Sequence, residues 1–401
     1  ALELKELSRE LDSLVAGNTI IDACEGLQTI TDVYLENLIA HPAEKKYQVI
    51  RILNVHFQER VGKLKGGISI LKALGFVEVD HLLVFQKGVA DEKKAVEWLQ
   101  DTRLMLNERL ASLQASIASL PVRIDEKHKF SSVDGVGWFE SQGPRSNMED
   151  DHIACDKFCG DEKQGFFAVY DGHGGRGSVD FVAKSLHLNL RQAMEKKPTT
   201  DVPDHLVAAY LKTDSQLRRR NILQSGTTAV TCIVRQLRDG RRKLFVANAG
   251  DSRAVLSRKG RKAVRLTIDH KPSLPEEMKR ICSLPGGFVS VTPPPRVLGY
   301  LAVSRALGDH SFKEKDYVVA TPYCQTVDLE DSDTILILAC DGVWDVLSDQ
   351  DAMDFVHKVV DKESKETKDV NSTLKKASEA LVKEALRRDT RDNVTVMIIQ
   401  L

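Results

Sequence analysis

The sequence lacks any hydrophobic run long enough to cross a membrane. Its longest apolar runs, residues 334–340 and 394–399, fall far short of the roughly 18 residues of a membrane-spanning helix. The chain also opens on a charged amphipathic pattern rather than the basic and then apolar segment of a secretory signal. We therefore expect no membrane partner and a cytoplasmic location, with the nucleus also open.

An excess of one charge sign is missing as well. Lys and Arg number 57 against 58 Asp and Glu, which leaves a formal net charge of −1. A nucleic-acid-binding domain carries a strong positive bias, so we expect no nucleic-acid partner. The seven cysteines are odd in number and scattered, and no CxxC pair is present, which argues against disulfides and against a zinc site.

The apolar residues that the sequence does contain suffice for two domains. With 401 residues, 42% of them hydrophobic, each domain can bury its own core. Residues 1–112 place apolar side chains at helical spacing, as at Val49, Ile50 and Leu53, and predict a small, mainly helical domain. Residues 113–130 are small and polar and then charged, which predicts a linker.

Beyond residue 131 the pattern changes to short apolar runs and to alternation of period two. These runs predict strands at residues 152–155, 166–170, 227–234, 243–249, 254–257, 334–340 and 394–401. Helical spacing predicts helices near residues 178–195, 203–220, 275–283, 349–361 and 372–388. Many strands with helices between them, some strands joined by tight turns, favour an α+β layered fold over a regular βαβ sheet.

Three of the predicted strands carry an aspartate at one end. Asp171, within VYDGHGG, follows an apolar run, and Asp341 follows TILILAC. Asp392 precedes the run VTVMIIQL, with one residue between them. Glycines around Asp171 remove side chains from the turn, so that the backbone can approach a ligand closely, and His173 adds a group that titrates near neutral pH. Taken singly, each aspartate could simply bond the backbone of a turn. Together they indicate a metal or phosphate site.

Eight motifs in residues 131–401 resemble, in the same order, those of the metal-dependent type 2C (PPM) Ser/Thr protein phosphatases. They are RSNMEDDHIA at 145, VYDGHGG at 169, SGTTAV at 225, VANAGDSRAV at 246, TIDHKP at 267, LAVSRALGD at 301, ACDGVWDVL at 339 and RDNVTV at 391. The resemblance implies a two-layer antiparallel β-sandwich flanked by helices, with a two-metal site at one end of the sandwich. It also implies hydrolysis of phosphoserine and phosphothreonine in protein substrates.

The resemblance further implies which residues bind metal. By motif, Asp171 bridges two ions, and Glu149 with the carbonyl of Gly172 completes one of them. Asp341 and Asp392 hold the other. Such oxygen ligands suit Mg²⁺ or Mn²⁺. A water between the ions, its pKa lowered by both, would attack phosphorus directly, without a phosphoenzyme.

Further residues receive roles from the same motifs. Arg145 would orient the phosphate with its planar guanidinium, and His173 would protonate the leaving oxygen as the general acid. Asp150 resembles an aspartate that supports the metal ligands from behind. Asp251 and Asp345 match positions associated with a weaker third metal, and a turn-building role is equally open for both.

Other interpretations of residues 131–401 stay open. A pseudophosphatase scaffold would keep the fold without catalysis, although every expected ligand is present. A two-metal phosphodiesterase or small-molecule phosphatase would share these ligands. Cys232 and Arg238 match the CxxxxxR spacing of cysteine-based phosphatases, but the strand-like residues between them lack the small residues that would cradle a phosphate. The prolines at 293–295 stiffen a segment that either shapes substrate binding or is a rigid surface loop.

Residues 1–112 resemble the PUB domain through NLIAHPAEKKYQVIRILNVHFQERV at 37 and GGISILKALGF at 66. PUB domains bind short peptides, notably the C-terminal tail of the valosin-containing AAA ATPase. By motif, Tyr47, Arg51 and Asn54 would line the peptide groove, and their i, i+4, i+7 spacing would place them on one helix stripe. Such a domain would target or regulate the phosphatase. The alternative is a helix face that packs on the phosphatase domain.

Overall fold

The computed structural model describes residues 2–86, 92–118 and 128–401. The chain divides into two compact units, Ala1–Leu120 and Pro121–Leu401. In the part of the chain that the structure describes, no helix has both the length and the apolar character needed to span a membrane.

The first unit combines helices with a small antiparallel sheet of order β1-β3-β2. Its helices are α1 (Leu2–Gly17), α2 (Ile20–Thr29), α3 (Glu36–Ala40), α4 (Val55–Phe57), α5 (Gly67–Ala73) and α6 (Glu92–Ala118), and its strands are β1 (Val49–Arg51), β2 (Phe76–Val79) and β3 (Leu82–Phe85). Two π-helical turns, Ile30–Leu35 and Gln58–Gly62, and a 3₁₀ turn, Lys45–Tyr47, join these elements.

The helical prediction for residues near Val49 is wrong. Val49 and Ile50 belong to strand β1, and Val49 pairs with Val84 of strand β3. Adjacent β-branched side chains lose rotamer freedom in a helix and fit the pleated surface of a sheet. The pairing strand lies far along the chain, so local spacing could not show it.

The predicted linker begins too early. Helix α6 continues to Ala118, and its apolar residues Leu106, Leu110 and Leu113 remain buried on one stripe. Residues 113–118 of the predicted linker 113–130 are therefore helical, because the core-facing pattern outlasts the change to small polar residues. Residues 119–127 lie outside the described residues.

The second unit contains the elements that carry the candidate site. Its strands are β4 (Gly135–Ser141), β5 (Asp150–Cys155), β6 (Gln164–His173), β7 (Gly226–Thr227), β8 (Ala229–Gln236), β9 (Arg242–Ala249), β10 (Arg253–Arg258), β11 (Lys262–Arg265), β12 (Leu307–Gly308), β13 (Tyr323–Leu329), β14 (Ile335–Ala339) and β15 (Val394–Gln400). Its helices are α7 (Gly177–Lys196), α8 (Val202–Arg219), α9 (Pro275–Cys282), α10 (His310–Lys313), α11 (Asp341–Trp344), α12 (Asp349–Glu366) and α13 (Val370–Arg387).

These strands form two antiparallel sheets, which confirms the predicted α+β sandwich. One sheet has the order β11-β10-β14-β15-β4, and the other has the order β12-β7-β6-β8-β9-β13 with β5 paired to β6. Helices pack on the outer faces: α7 and α8 on the sheet that contains β6, and α12 and α13 on the sheet that contains β14.

Strand alternation explains this layering. On β6, Phe167 and Val169 pack in the core between the sheets, whereas Phe166 and Tyr170 join the cluster under α7 and α8. Successive side chains of a strand point to opposite faces, so a strand covered on both sides is apolar throughout. The continuous apolar runs seen in the sequence are therefore buried on both faces, and their ends bring polar residues to the edge of the sandwich.

Candidate metal centre

Strands β5 and β6 place four predicted metal-site residues together. Asp150 pairs directly with Asp171 across the two strands. The amide of Gly172 donates to the carbonyl of Glu149 at 3.1 Å, and a Cβ on Gly172 would lie 2.3 Å from that oxygen. Only glycine permits this approach. The amide of Gly175 then donates to Oε1 of Glu149 at 3.0 Å, which holds this carboxylate beside the turn.

The other sheet delivers two more aspartates to the same edge. Asp341 begins helix α11 one residue after the end of strand β14, and Asp392 precedes the neighbouring strand β15. Carboxylate oxygens of Asp171, Asp251 and Asp341 all lie within 4.8 Å of one another. The cluster therefore draws its members from both sheets of the sandwich.

Burial and mutual repulsion raise the pKa values of these carboxyl groups. Burial, followed by the charge of Asp341, raises the pKa of Asp171 well above its ordinary value, and the pKa of Asp341 rises likewise. Burial raises the pKa of Asp150 to about 7 and that of Asp251 to about 6, and it also raises the pKa of Asp392. The cluster is thus short of positive charge at neutral pH.

The donor atoms fit divalent cations. Oδ1 of Asp150 and Oδ1 of Asp341 are buried, and neither has a hydrogen-bond partner among the described residues. Buried acceptors without partners are costly, and several converging carboxylates form the oxygen environment that Mg²⁺ and Mn²⁺ prefer. Cations bound here would satisfy both orphaned oxygens and relieve the repulsion.

Arg145 and His173 lie at this cluster, and each bonds a carboxylate. Nη2 of Arg145 donates to Oδ2 of Asp392 at 2.6 Å, and its guanidinium side chain is 56% exposed. Nε2 of His173 lies 2.7 Å from Oδ2 of Asp309, and the His173 side chain is 29% exposed. Both side chains therefore have a fixed partner and an exposed part that a substrate can reach.

A lysine stands between the two candidate ligands for a third metal. Nζ of Lys271 lies 2.7 Å from Oδ1 of Asp345 and 3.7 Å from Oδ2 of Asp251. Burial acts to lower the pKa of Lys271, but the charges of Asp251 and Asp345 prevail and raise it. The sequence placed Lys271 in the TIDHKP motif without indicating this contact.

Asn393 is a site residue that the sequence did not single out. Its Oδ1 accepts from the amide of Glu149 at 2.8 Å, and its Nδ2 donates to the carbonyls of Gln142 and Asn147 at 2.8 and 2.9 Å. One side chain thus fastens the loop that carries Glu149 to the start of strand β15. Its place directly after Asp392 was visible, but its distant partners were not.

Asn393→Ala is expected to weaken Mg²⁺ binding by about 10–100-fold. This is the usual loss when a residue that holds a metal ligand in place by hydrogen bonds is removed. The variant would leave three backbone groups without their partner and free the Glu149 loop. The measurement is Mn²⁺ binding followed by electron paramagnetic resonance, together with the Mg²⁺ dependence of kcat/KM.

Asn371→Ala is the matched control for Asn393→Ala. Asn371 also bridges two backbone groups, the amide of Val136 at 3.0 Å and the carbonyl of His128 at 2.6 Å. Val136 of strand β4 pairs with Ile399, near the end of strand β15 that is farthest from Asp392. Equal losses of metal affinity in the two variants would show a general loss of stability and contradict the assigned role.

Asp150→Asn is expected to stabilise the metal-free protein, increasingly so as the pH rises. The folded pKa of Asp150, about 7, lies above its ordinary value of 3.8, because burial disfavours the charged form. A raised folded pKa contributes stability that is complete below the unfolded value and is lost as the pH rises through the folded value. Asn cannot ionise, and it keeps an acceptor for the hydroxyl of Thr395.

Urea unfolding in EDTA between pH 5 and pH 8 measures this effect. The advantage of Asp150→Asn over the wild type should grow by roughly 2–4 kcal/mol across that range. Asp331→Asn, a change of the same chemistry at an exposed position, is the control, and an equal gain in that variant would contradict the role of burial at Asp150. A pH-independent difference for Asp150→Asn would contradict the assignment of a raised pKa.

The cysteine-phosphatase alternative has no support in the structure. Cys232 lies within strand β8 in the core between the sheets, and burial raises the pKa of its thiol. A thiol with a raised pKa is a poor nucleophile at neutral pH.

The predicted helix stripe for the peptide-binding residues of the first unit is wrong. Tyr47 ends the 3₁₀ turn and stacks on His41, with 4.9 Å between ring centroids. Arg51 ends strand β1, and the side chain of Asn54 caps helix α4 by accepting from the amide of Phe57 at 3.1 Å. The three residues therefore lie on three different elements, because the strand interrupts the helical pattern.

Comparison with known proteins identifies both units. The family model described as protein phosphatase 2C matches residues 134–394, and the PUB domain model matches residues 23–100. Protein phosphatase 2C homolog 1 of Saccharomyces cerevisiae is 37% identical over 279 residues, which is 67% of this chain and 92% of that protein. The homolog of the same name from Schizosaccharomyces pombe is 38% identical over 265 residues, covering 65% and 71%.

Solved structures share the fold. A serine-threonine phosphatase 2C from Toxoplasma gondii has a TM-score of 0.57 at 22% identity, covering 70% of this chain and 97% of that one. A C. elegans sex determining protein has a TM-score of 0.61 at 21% identity, covering 99% and 94%. The chain thus belongs to the protein phosphatase 2C family of metal-dependent protein serine/threonine phosphatases, and it carries a PUB domain.

Proposed function

We propose that the protein hydrolyses phosphoserine and phosphothreonine by direct attack of water, at a centre that holds two Mg²⁺ or Mn²⁺ ions. The observation that carries this proposal is the convergence of carboxylates from both sheets, with two buried oxygens lacking any partner in the described residues. The residues that would hold the ions are Glu149, Asp171, Gly172, Asp341 and Asp392. Bound ions would neutralise the phosphoryl group and lower the pKa of a water between them.

The protein's own groups would bind the phosphate and move the proton. Arg145, held by Asp392, presents exposed N–H donors that can bond the phosphate oxygens. His173 would give a proton to the serine or threonine oxygen as it leaves. Asp150 would support the ligands from the neighbouring strand. Asp251 and Asp345 are candidates for a weaker third ion, which would have to replace the ammonium of Lys271 between them.

Hydrolysis of a phosphothreonine peptide tests the proposal. We expect turnover that requires Mg²⁺ or Mn²⁺ and stops in EDTA, and no turnover of phosphodiesters or phosphorylated metabolites at a comparable rate. Acid quenching with a ³²P-labelled peptide should leave no label on the protein, because no group of the protein would be phosphorylated. Covalent label, or turnover indifferent to chelator, would contradict the mechanism. Folded protein without any turnover would favour a pseudophosphatase scaffold.

For the PUB domain we propose binding of the C-terminal tail of a valosin-containing-type AAA ATPase, which would target or regulate the phosphatase. Support comes from the family match and from the exposed side chains around Tyr47 and Arg51, where Leu53 and Val55 are 72% and 65% exposed. Fluorescence anisotropy of a labelled tail peptide tests this. Arg51→Ala should weaken binding at least tenfold, and binding that is indifferent to Arg51 and Tyr47 would contradict the proposed groove.

We also propose a cytoplasmic location, with the nucleus as the second compartment. All seven cysteines are free thiols in the structure, which supports a reducing environment. Fractionation of cells with a tagged protein tests this, and recovery from secretory compartments would contradict it.

A further inference from the structure

The side chain of Asp309 has an unusual partner for its position. Asp309 stands directly before helix α10, where an aspartate would ordinarily accept from the first amides of the helix. Its side chain makes no such cap, and its backbone is left-handed, with φ +50°. The carboxylate instead lies 2.7 Å from Nε2 of His173 and is 3% exposed. The Asp309 carboxylate therefore contacts His173 instead of capping helix α10.

Three short backbone segments hold this pair. Strand β7 pairs with β6, so that Gly226 lies opposite His173, and with β12, so that Gly226 also lies opposite Gly308. The amide of Asp309 donates to the carbonyl of Ser225 at 3.0 Å. Both members of the pair are thus fixed to the same strand.

Gly226 leaves the space that the pair fills. A Cβ built on Gly226 would lie 2.1 Å from Oδ2 of Asp309 and 2.4 Å from Nε2 of His173. Even alanine would push the two side chains apart. The contact between the two side chains therefore depends on a glycine at this position.

We propose that Asp309 is the positioning residue for His173: it accepts a hydrogen bond from Nε2 and so holds the ring with Nδ1 towards the leaving oxygen of the substrate. This inference rests on the proposed phosphatase mechanism. Nδ1 has no hydrogen-bond partner among the described residues, and the His173 side chain is partly exposed.

The proton transfer follows from this geometry. The oxygen of water forms a bond to phosphorus, while the bond between phosphorus and the serine or threonine oxygen breaks with both electrons on that oxygen. The proton on Nδ1 moves to this oxygen, and the proton that water loses passes to solvent. The products are the alcohol and inorganic phosphate. Throughout, Nε2 keeps its hydrogen bonded to Asp309, so the ring does not rotate during the transfer.

The test compares two substrates on the same sample of Asp309→Ala. Phosphothreonine needs a proton on its leaving oxygen, whereas the nitrophenolate of p-nitrophenyl phosphate departs without one. Positioned proton donors contribute about 10²–10⁴-fold, so we expect kcat to fall about 10–100-fold for the phosphothreonine peptide and less than about threefold for p-nitrophenyl phosphate. The ratio of the two rates does not depend on the folded fraction of the sample.

Three further variants complete the test. Asp309→Asn, which keeps an acceptor for Nε2, should recover most of the lost phosphothreonine activity. Gly226→Ala should show the same substrate dependence as Asp309→Ala, because it separates the pair. Asp309→Ala added to His173→Ala should lower kcat no further, since one residue acts through the other.

Several outcomes would overturn the inference. Equal losses for both substrates would indicate a purely structural role for Asp309, and so would full additivity with His173→Ala. Unchanged phosphothreonine activity in Asp309→Ala would show that the ring needs no such support. Failure of the proposed function itself looks different, because the wild-type protein with Mg²⁺ or Mn²⁺ would then not hydrolyse the phosphothreonine peptide.

Discussion

Asp341→Asn is expected to lower kcat/KM for a phosphothreonine peptide by roughly 1000-fold or more. Asp341 brings a buried, unpartnered oxygen to a cluster that two strands from different sheets help to build. An amide removes one negative charge and replaces an anionic ligand with a neutral one. Metal ions contribute several kcal/mol of charge stabilisation in the transition state, and each 1.4 kcal/mol is a factor of ten.

The measurement is steady-state hydrolysis over a range of Mg²⁺ and Mn²⁺ concentrations, with thermal unfolding to verify the fold. The variant should not unfold earlier than the wild type in EDTA, since it removes repulsion from the cluster. Asp331→Asn is the control. Asp331 is exposed and lies before the first residue of strand β14, whereas Asp341 follows its last residue. If Asp341→Asn kept more than a tenth of the activity, the assignment of Asp341 as a metal ligand would be wrong.

His173→Ala is expected to lower kcat for the phosphothreonine peptide by about 10²–10⁴-fold, the usual contribution of a positioned proton donor. The loss for p-nitrophenyl phosphate should be much smaller, because its leaving group needs no proton. His173 lies close to Asp171 and Gly172, the proposed metal ligands, so damage to the proposed metal site is the competing explanation. Such damage would slow both substrates alike.

Two measurements separate these explanations for His173→Ala. The concentration of Mg²⁺ that gives half-maximal p-nitrophenyl phosphate turnover should be the same in the variant and the wild type. His56→Ala, at a histidine whose side chain is 86% exposed in the first unit, should leave both rates unchanged. A shift in the Mg²⁺ requirement comparable to the loss of rate would contradict proton donation.

Much of the second unit could be predicted from the sequence because its strands are buried on both faces. The apolar runs that become β6, β14 and β15 are visible without alignment, and the amphipathic patterns of α7, α8, α12 and α13 fall within a few residues of the observed helices. Strand β4 was missed because its glycines and polar residues conceal the pattern. Its place next to β15 depends on a pairing that spans most of the unit.

The candidate site was predictable where its residues end strands, and not where they act through distant contacts. Asp171 and Asp341 stand at the ends of apolar runs in different sheets, and the packing of the two sheets brings these ends together at one edge of the sandwich. Asp309 and Asn393 are different, since each acts on a partner well over a hundred positions away. Residue type and local spacing carry no information about such pairs.

In the first unit, the wrong prediction of a helix stripe for the peptide-binding residues had a single cause. The spacing of Tyr47, Arg51 and Asn54 fits a helix only if the backbone between them is helical. The pairing of Val49 with Val84 makes part of that backbone a strand, and the spacing then loses its meaning.

The carboxylate cluster between the two sheets would also make the stability of the folded state depend on the concentration of the cation that binds there. A cation that binds the folded chain and not the unfolded one adds a stability of RT ln(1 + [L]/Kd), about 2.7 kcal/mol at a hundred times Kd. Asp171 and Asp341 come from opposite layers of the sandwich, so ions bound at the proposed centre would also cross-link the layers. With ions bound as proposed, the free Mg²⁺ concentration would set the population of the open, protease-sensitive form, so the chain would resist proteolysis best where it is most active.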